Sequence, residues 1–125
     1  MPSNSDDPFN LQRFVDAQAP VYQTVLRELR NGRKTTHWIW FIFPQSAGLG
    51  HSAMSKRYAI GSHEEARAYL AHPVLGPRLR ECVALVRAHE AQGASLEAIF
   101  GELDAKKFRS CVELFSDAGA EIASD

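Results

Sequence analysis

The chain has 125 residues, 45% hydrophobic and 23% charged, with a net charge of −1. That length fits one domain whose core closes without a disulfide or a metal. The near-zero net charge excludes whole-molecule attraction to nucleic acid or a membrane surface. The charge is uneven along the chain, however. Residues 1–60 carry seven Lys/Arg against four acids, +3, and residues 61–125 carry seven against eleven, −4. Two solvated faces explain this; if the basic residues of the first half converge, they favour an anion.

The first residues, through Asp7, are polar and acidic, with no apolar signal core. Asp7-Pro8 predicts a helix start, an Asp cap followed by a Pro suited to a first turn. Leu11, Phe14 and Val15 then recur at helical spacing. Ala19-Pro20 interrupts them, because Pro has no amide and restricts the residue before it. A second helix, or a kinked continuation, carries Val21, Tyr22, Val25, Leu26 and Leu29 on one stripe. Asn31-Gly32 stops it. Arg27, Arg30, Arg33 and Lys34 crowd that end, where cations suit the helix dipole.

Residues 37–43, His-Trp-Ile-Trp-Phe-Ile-Phe, form the densest apolar stretch. Nothing else in the sequence reads as a strand to pair with it. A lone strand leaves backbone groups unpaired, so a short buried helix is expected, with Thr36 as its cap and Pro44 as its end. Gly48-Leu49-Gly50 is a turn, and Ser52 caps a short helix with Met54 and Tyr58 on one face. Ser62-x-x-Glu65 is a capping box; its helix turns Ala66, Tyr69 and Leu70 inward. His72-Pro73 ends it. A long helix opening near Pro77 aligns Leu75, Leu79, Cys82, Val83 and Val86, and Gly93 stops it. Ser95 caps one turn with Leu96, Ile99 and Phe100, and Gly101 breaks it. Asp104 is expected to cap the last helix, which aligns Phe108, Cys111, Val112 and Phe115. Both cysteines therefore read as packed thiols of a reduced, cytoplasmic protein. The expected architecture is all-α: one domain of six or seven short helices, with residues 1–6 and 117–125 as loose tails.

No His or Cys pair has metal-ligand spacing, so neither a metal nor a cofactor is expected. There is no GxSxG nucleophile elbow. His37 lies where a polar loop meets the aromatic run. It is either a core histidine bonded to backbone or a general base or donor in an aromatic-walled pocket. Gln45 is placed at the mouth of the same pocket, or serves an indole N–H. Gly48-x-Gly50 before Ser52 is either a plain turn or a weak anion cradle. Asp104 is a cap or a site acid, with Lys106 as its expected partner.

The string from Gly32-Arg33-Lys34 through His37–Gln45, then Gly48-Leu49-Gly50-x-Ser52 and Tyr58-Ala59-Ile60, resembles domain-of-unknown-function family 1810. Glu65-Ala66-x-x-Tyr69-Leu70, Leu79 and Gly101-x-x-Asp104-x-x-Lys107 extend the resemblance over nearly the whole chain. It implies a mainly helical fold and supplies no activity. Two departures stand out. Glu113 replaces a small hydroxyl residue typical of the family, and the chain stops soon after Phe115, where members usually continue with another helical segment.

The sequence thus leads to an anionic or nucleotide-like small molecule as ligand, with either binding or turnover as the outcome. His37 is the candidate base and Asp104 the candidate acid. Lys34 and the Gly48, Gly50 and Ser52 turn hold the anion, Trp40 stacks on a ring, and Gln45 lies at the mouth. The alternative is a regulatory or protein-interaction module that uses the basic face of residues 27–34. Nucleic-acid binding rests on that basic cluster alone, and no membrane association is expected.

Overall fold

A computed structural model describes residues 7–119. The expected tail 1–6 and residues 120–125 lie outside them. The Asp7 carboxylate accepts the amides of Leu11 at 2.7 Å and Gln12 at 2.9 Å. The cap therefore forms, but the helix starts later than Asp7-Pro8 implies. Asn10 adopts φ 52, a left-handed conformation that breaks helical register, and α1 (Gln12–Gln18) begins after it. Pro20 separates α1 fully from α2 (Tyr22–Arg30). That separation brings the count to eight helices among the described residues, where six or seven are expected.

α2 ends in a Schellman turn. Gly32 takes φ +75, its amide donates to the Leu29 carbonyl, and the Arg33 amide donates to that of Glu28, both at 3.0 Å. α3 (Ile39–Ile42) is the short buried helix expected from the aromatic run. Thr36 does not cap it. Trp38 precedes the helix without a side-chain cap, and the Thr36 hydroxyl is directed to Glu28 instead. The buried Gln18 amide donates to the Phe41 carbonyl at 2.7 Å, satisfying one of the helix's end groups. Beyond Pro44, residues 45–47 meet Ile60 through one parallel bridge, with Ile60 N–H to Gln45 O at 2.8 Å and Ala47 N–H to Ile60 O at 2.9 Å.

α4 (Ala53–Arg57) and α5 (His63–Ala71) carry the Ser52 and Ser62 caps as read. α6 (Leu75–Ala91) opens two residues before Pro77. Val74 holds the cap position without a side-chain bond, and His72 Nδ1 accepts the amides of Val74 and Leu75. Pro77 then falls in the first turn, where its missing amide costs nothing. α7 (Leu96–Phe100) and α8 (Glu102–Asp117) follow, and Ala118 is buried with its carbonyl accepting from Arg67.

α3 lies between α1 and α8, α7 packs on α8, and α5 bridges α6 and α8. One contiguous core results, with Phe14, Trp38, Phe43, Tyr69, Phe108 and Phe115 fully buried. Phe43 and Phe108 form a T-shaped pair, with centroids 4.9 Å apart. Cys82 and Cys111 are free and buried. Burial pushes the Cys82 thiol up to about 12 and the Cys111 thiol well above its ordinary value. Both are inert packing groups. No described helix is long and apolar enough to cross a membrane.

Candidate functional site

The site begins with a carboxylate that faces inward from α2. Glu28 is 5% exposed. Its Oε1 accepts the amides of Thr35 at 2.8 Å and Thr36 at 3.1 Å, and the Trp38 indole N–H at 2.9 Å. Its Oε2 accepts the Thr36 hydroxyl at 2.6 Å. Burial alone raises a carboxyl pKa. Here the hydrogen bonds from Thr36, Thr35 and Trp38 outweigh it and hold Glu28 at about 2. The segment 33–38 is thereby folded back on the end of α2. The Lys34 amide adds a bond to the Ile99 carbonyl at 2.7 Å, which fixes the Lys34 backbone beside α7.

From that position the Lys34 side chain, 6% exposed, reaches Asp104 Oδ2 at 2.8 Å. Lys107, 30% exposed, reaches Asp104 Oδ1 at 3.3 Å. Asp104 is not the cap of the last helix. Gly101, at φ 84 and ψ 168, precedes α8 without a side-chain cap, which leaves Asp104 three positions further in, inside the first turn, where it takes two cations. Its partner on the helix is Lys107, at i+3, rather than Lys106, because i+3 shares a face and i+2 does not. Each ammonium also lies against an indole. Lys34 Nζ is 5.1 Å from the Trp38 ring centroid and Lys107 Nζ is 5.3 Å from that of Trp40. Beside Lys34, an open groove of about 280 Å³ runs between Arg33 and the end of α7 with Gly101.

Trp40 is half-buried and lines a second, smaller cleft with Gln45, Ser46, Leu49, Gly50, Ser55 and Tyr58. Its volume is about 10 Å³, room for roughly one water molecule. Gly50 is required there by contact: a Cβ at residue 50 would lie 2.6 Å from Ser55 Cβ. Ser52 Oγ accepts the Ser55 amide at 3.1 Å and lies 2.9 Å from Ser55 Oγ. The α4 that it caps is only five residues long, so little dipole accumulates at its N-terminus.

The expected site residues therefore fall into groups. Lys34 and Asp104 are joined directly. Trp40, Gln45 and Gly50 share the cleft, and Lys107 links the two groups through Trp40. Gly48 (φ +91) and Ser52 are exposed parts of the turn. His37 is exposed and lies outside the cleft lining. Trp38 beside it takes the buried place instead.

Comparison with known proteins agrees with this fold. The family described as protein of unknown function (DUF1810) matches residues 8–124. The chain belongs to the DUF1810 family. Its fold is also similar to the crystal structure of the conserved hypothetical protein Rv1873 from Mycobacterium tuberculosis. The two are 57% identical over 90% of this chain and 79% of that one, with a TM-score of 0.85. No curated protein matches the chain.

In this DUF1810 member, three structural residues escaped the sequence reading. Glu28 is an acid beside Leu29 on the inward stripe of α2, and that placement was its signal. Arg13 uses its whole guanidinium on backbone carbonyls of residues 9, 10, 57 and 59 and on Glu65. Gln18 bonds Phe41 and Tyr69 from a fully buried position. Nothing local marks either of the last two as buried anchors, because Gln18's partners and three of Arg13's, at residues 57, 59 and 65, are distant in sequence.

Proposed function

We propose that this protein binds a small anionic molecule at the Lys34–Asp104–Lys107 cluster, against the face of Trp40. One observation carries the reading: two lysines converge on one carboxylate, so one positive charge stays uncompensated beside two indole rings. Lys34 is nearly enclosed, and its charge is balanced by Asp104 at 2.8 Å. Lys107 is the more accessible of the two and contributes the free charge. An anion that pairs with Lys107 brings the rest of the ligand over Trp40. The small cleft beside Trp40 admits about one water rather than a ring, so the ligand lies on the indole face and not inside the cleft.

Asp104 acts in this reading as the group that positions both ammoniums. His37, exposed and outside the cleft lining, has no part in this reading. A thermal-shift series with phosphate, pyruvate, ADP and ADP-ribose tests the proposal. Stabilisation by one of these, reduced by Lys107→Ala, is expected. No shift with any of them contradicts it.

A second reading, a protein-interaction module, has its own observation. Leu103 and Leu49 are large apolar side chains left 71% and 59% exposed. Leu103 stands one turn before Lys107 on α8, and Leu49 borders the Trp40 cleft. Apolar residues beside a basic aromatic surface suit a partner chain. Loss of partner capture on Leu103→Asp, with small-anion binding unchanged, favours this second reading.

A further inference from the structure

Arg27 and Arg30 are exposed one turn apart on α2, and Arg33 is exposed just beyond its end. Among the described residues no carboxylate, carbonyl or aromatic ring engages any of these three side chains. The other seven arginines of the chain are all engaged. Three pair with carboxylates, three donate to amide or carbonyl oxygens, and Arg57 lies over the Tyr58 ring. Cations suit a helix C-terminus, yet α2 does not use these guanidiniums to close its end. The amides of Gly32 and Arg33 donate to the carbonyls of Leu29 and Glu28. His89 Nε2 donates to those of Leu29 at 2.8 Å and Arg30 at 3.2 Å.

The groove of about 280 Å³ begins at Arg33, so the unpaired charges border open space. We infer that this surface docks an acidic segment of a partner protein, its carboxylates on Arg27, Arg30 and Arg33 and its chain continuing into the groove. The surface shares no residue with the Lys107–Trp40 site, and the inference does not depend on the anion-binding reading.

The chemistry of the partner follows from the charges. A guanidinium presents paired N–H groups that match the two oxygens of a carboxylate. Phosphate suits the same fork, so the surroundings decide between the two. Across the groove, Glu102 follows Gly101, is exposed, and has no ion pair among the described residues. Residues 61–125, which supply that side, carry seven basic residues against eleven acids. A nucleic acid strand brings phosphate to every position and meets this negative side. A protein segment can be acidic opposite the arginines and neutral opposite Glu102. Phe100, the aromatic residue of the groove, is only 7% exposed and offers no face on which a base could stack. A patch of this size gives a transient, salt-sensitive contact.

Fluorescence anisotropy of the full chain with a labelled glutamate-serine peptide tests the inference. Saturable binding at low salt is expected, absent with the matching glutamine-serine peptide. Arg27→Glu combined with Arg30→Glu should weaken it roughly tenfold or more. Lys56→Glu combined with Lys106→Glu changes net charge equally at exposed positions elsewhere and should leave it unchanged. Hydrogen exchange of the wild-type chain should show protection by the peptide at residues 27–33, which decides the point even if a variant fails to fold. Failure of the peptide to bind, equal weakening by the two double variants, or protection confined to other segments overturns the inference. Tighter binding of a single-stranded RNA of equal charge overturns the assignment to a protein partner.

Discussion

The Trp38 indole N–H donates to the Glu28 carboxylate at 2.9 Å, deep in the protein. One buried charge thus fixes the largest aromatic side chain of the core and, through Thr35 and Thr36, the segment that delivers Lys34. Site and core share this anchor. Disturbing it shifts both.

The anchor has a pH signature. The Glu28 carboxyl is held at about 2 in the folded protein against an ordinary 4.5. A depressed folded pKa contributes stability that is complete above the unfolded value and lost as pH falls toward the folded one. The window is therefore from about 4.5 down to about 2, and the contribution is on the order of 3 kcal/mol. Urea unfolding of wild type and Glu28→Gln across that window should show the two stabilities converging as pH falls. A constant difference would remove the anchor from the account.

Glycine at position 50 is required by contact. An added Cβ lies 2.6 Å from Ser55 Cβ, so Gly50→Ala displaces α4 or the turn and costs about 1–3 kcal/mol. Ser55→Gly in the same chain should recover most of that loss. Thermal melts of the single and double variants decide the point. Equal melting of wild type and Gly50→Ala excludes the close approach.

Much of this was legible in the sequence. The three Ser caps, the Pro20 break and the Gly32 stop are local chemistry, written within four residues of where they act. The buried helix in the aromatic run followed from the lack of a strand partner. Lys34, Asp104, Trp40, Gln45, His37 and the 48–52 turn read as one pocket in the sequence; the structure joins Lys34 to Asp104 and places Trp40, Gln45 and Gly50 in a separate cleft. What failed was the reading of polar groups whose partners are far along the chain. Asp104 looked like a cap because its true partner, Lys34, is seventy residues earlier. Thr36 looked like a cap because the inward direction of Glu28 depends on packing. His37 and Trp38 are adjacent, and the sequence does not say which of them faces the core.

Arg13 clamps the chain that carries Tyr58 to the cleft. Its Nε donates to the Arg57 carbonyl and one Nη to that of Ala59, both at 2.8 Å. Lysine has three donors at a single point and cannot reproduce this fork. Arg13→Lys should cost about 1–3 kcal/mol in urea unfolding with an unchanged m-value. A midpoint equal to wild type would show the clamp to be dispensable.

The two lysines on Asp104 should separate by effect. Lys34 is enclosed and joins α8 to the segment after α2, so Lys34→Met should lower the melting temperature by several degrees, as a loss of about 1 kcal/mol or more does in a domain of this size. Lys107 is partly exposed and pairs within its own helix, so Lys107→Ala should leave melting nearly unchanged. Differential scanning calorimetry of both variants without ligand checks the division. Equal losses would mean that Lys107 is structural too.

Isothermal titration of the wild-type chain and Lys107→Ala with the anion that gives the largest thermal shift decides whether Lys107 holds the ligand against Trp40. Saturable one-to-one binding is expected that weakens as salt rises, quenches tryptophan fluorescence through Trp40, and is lost or reduced at least tenfold in the variant, the effect of about 1.4 kcal/mol. Equal binding by the two proteins, or no binding by either, would contradict that role of Lys107.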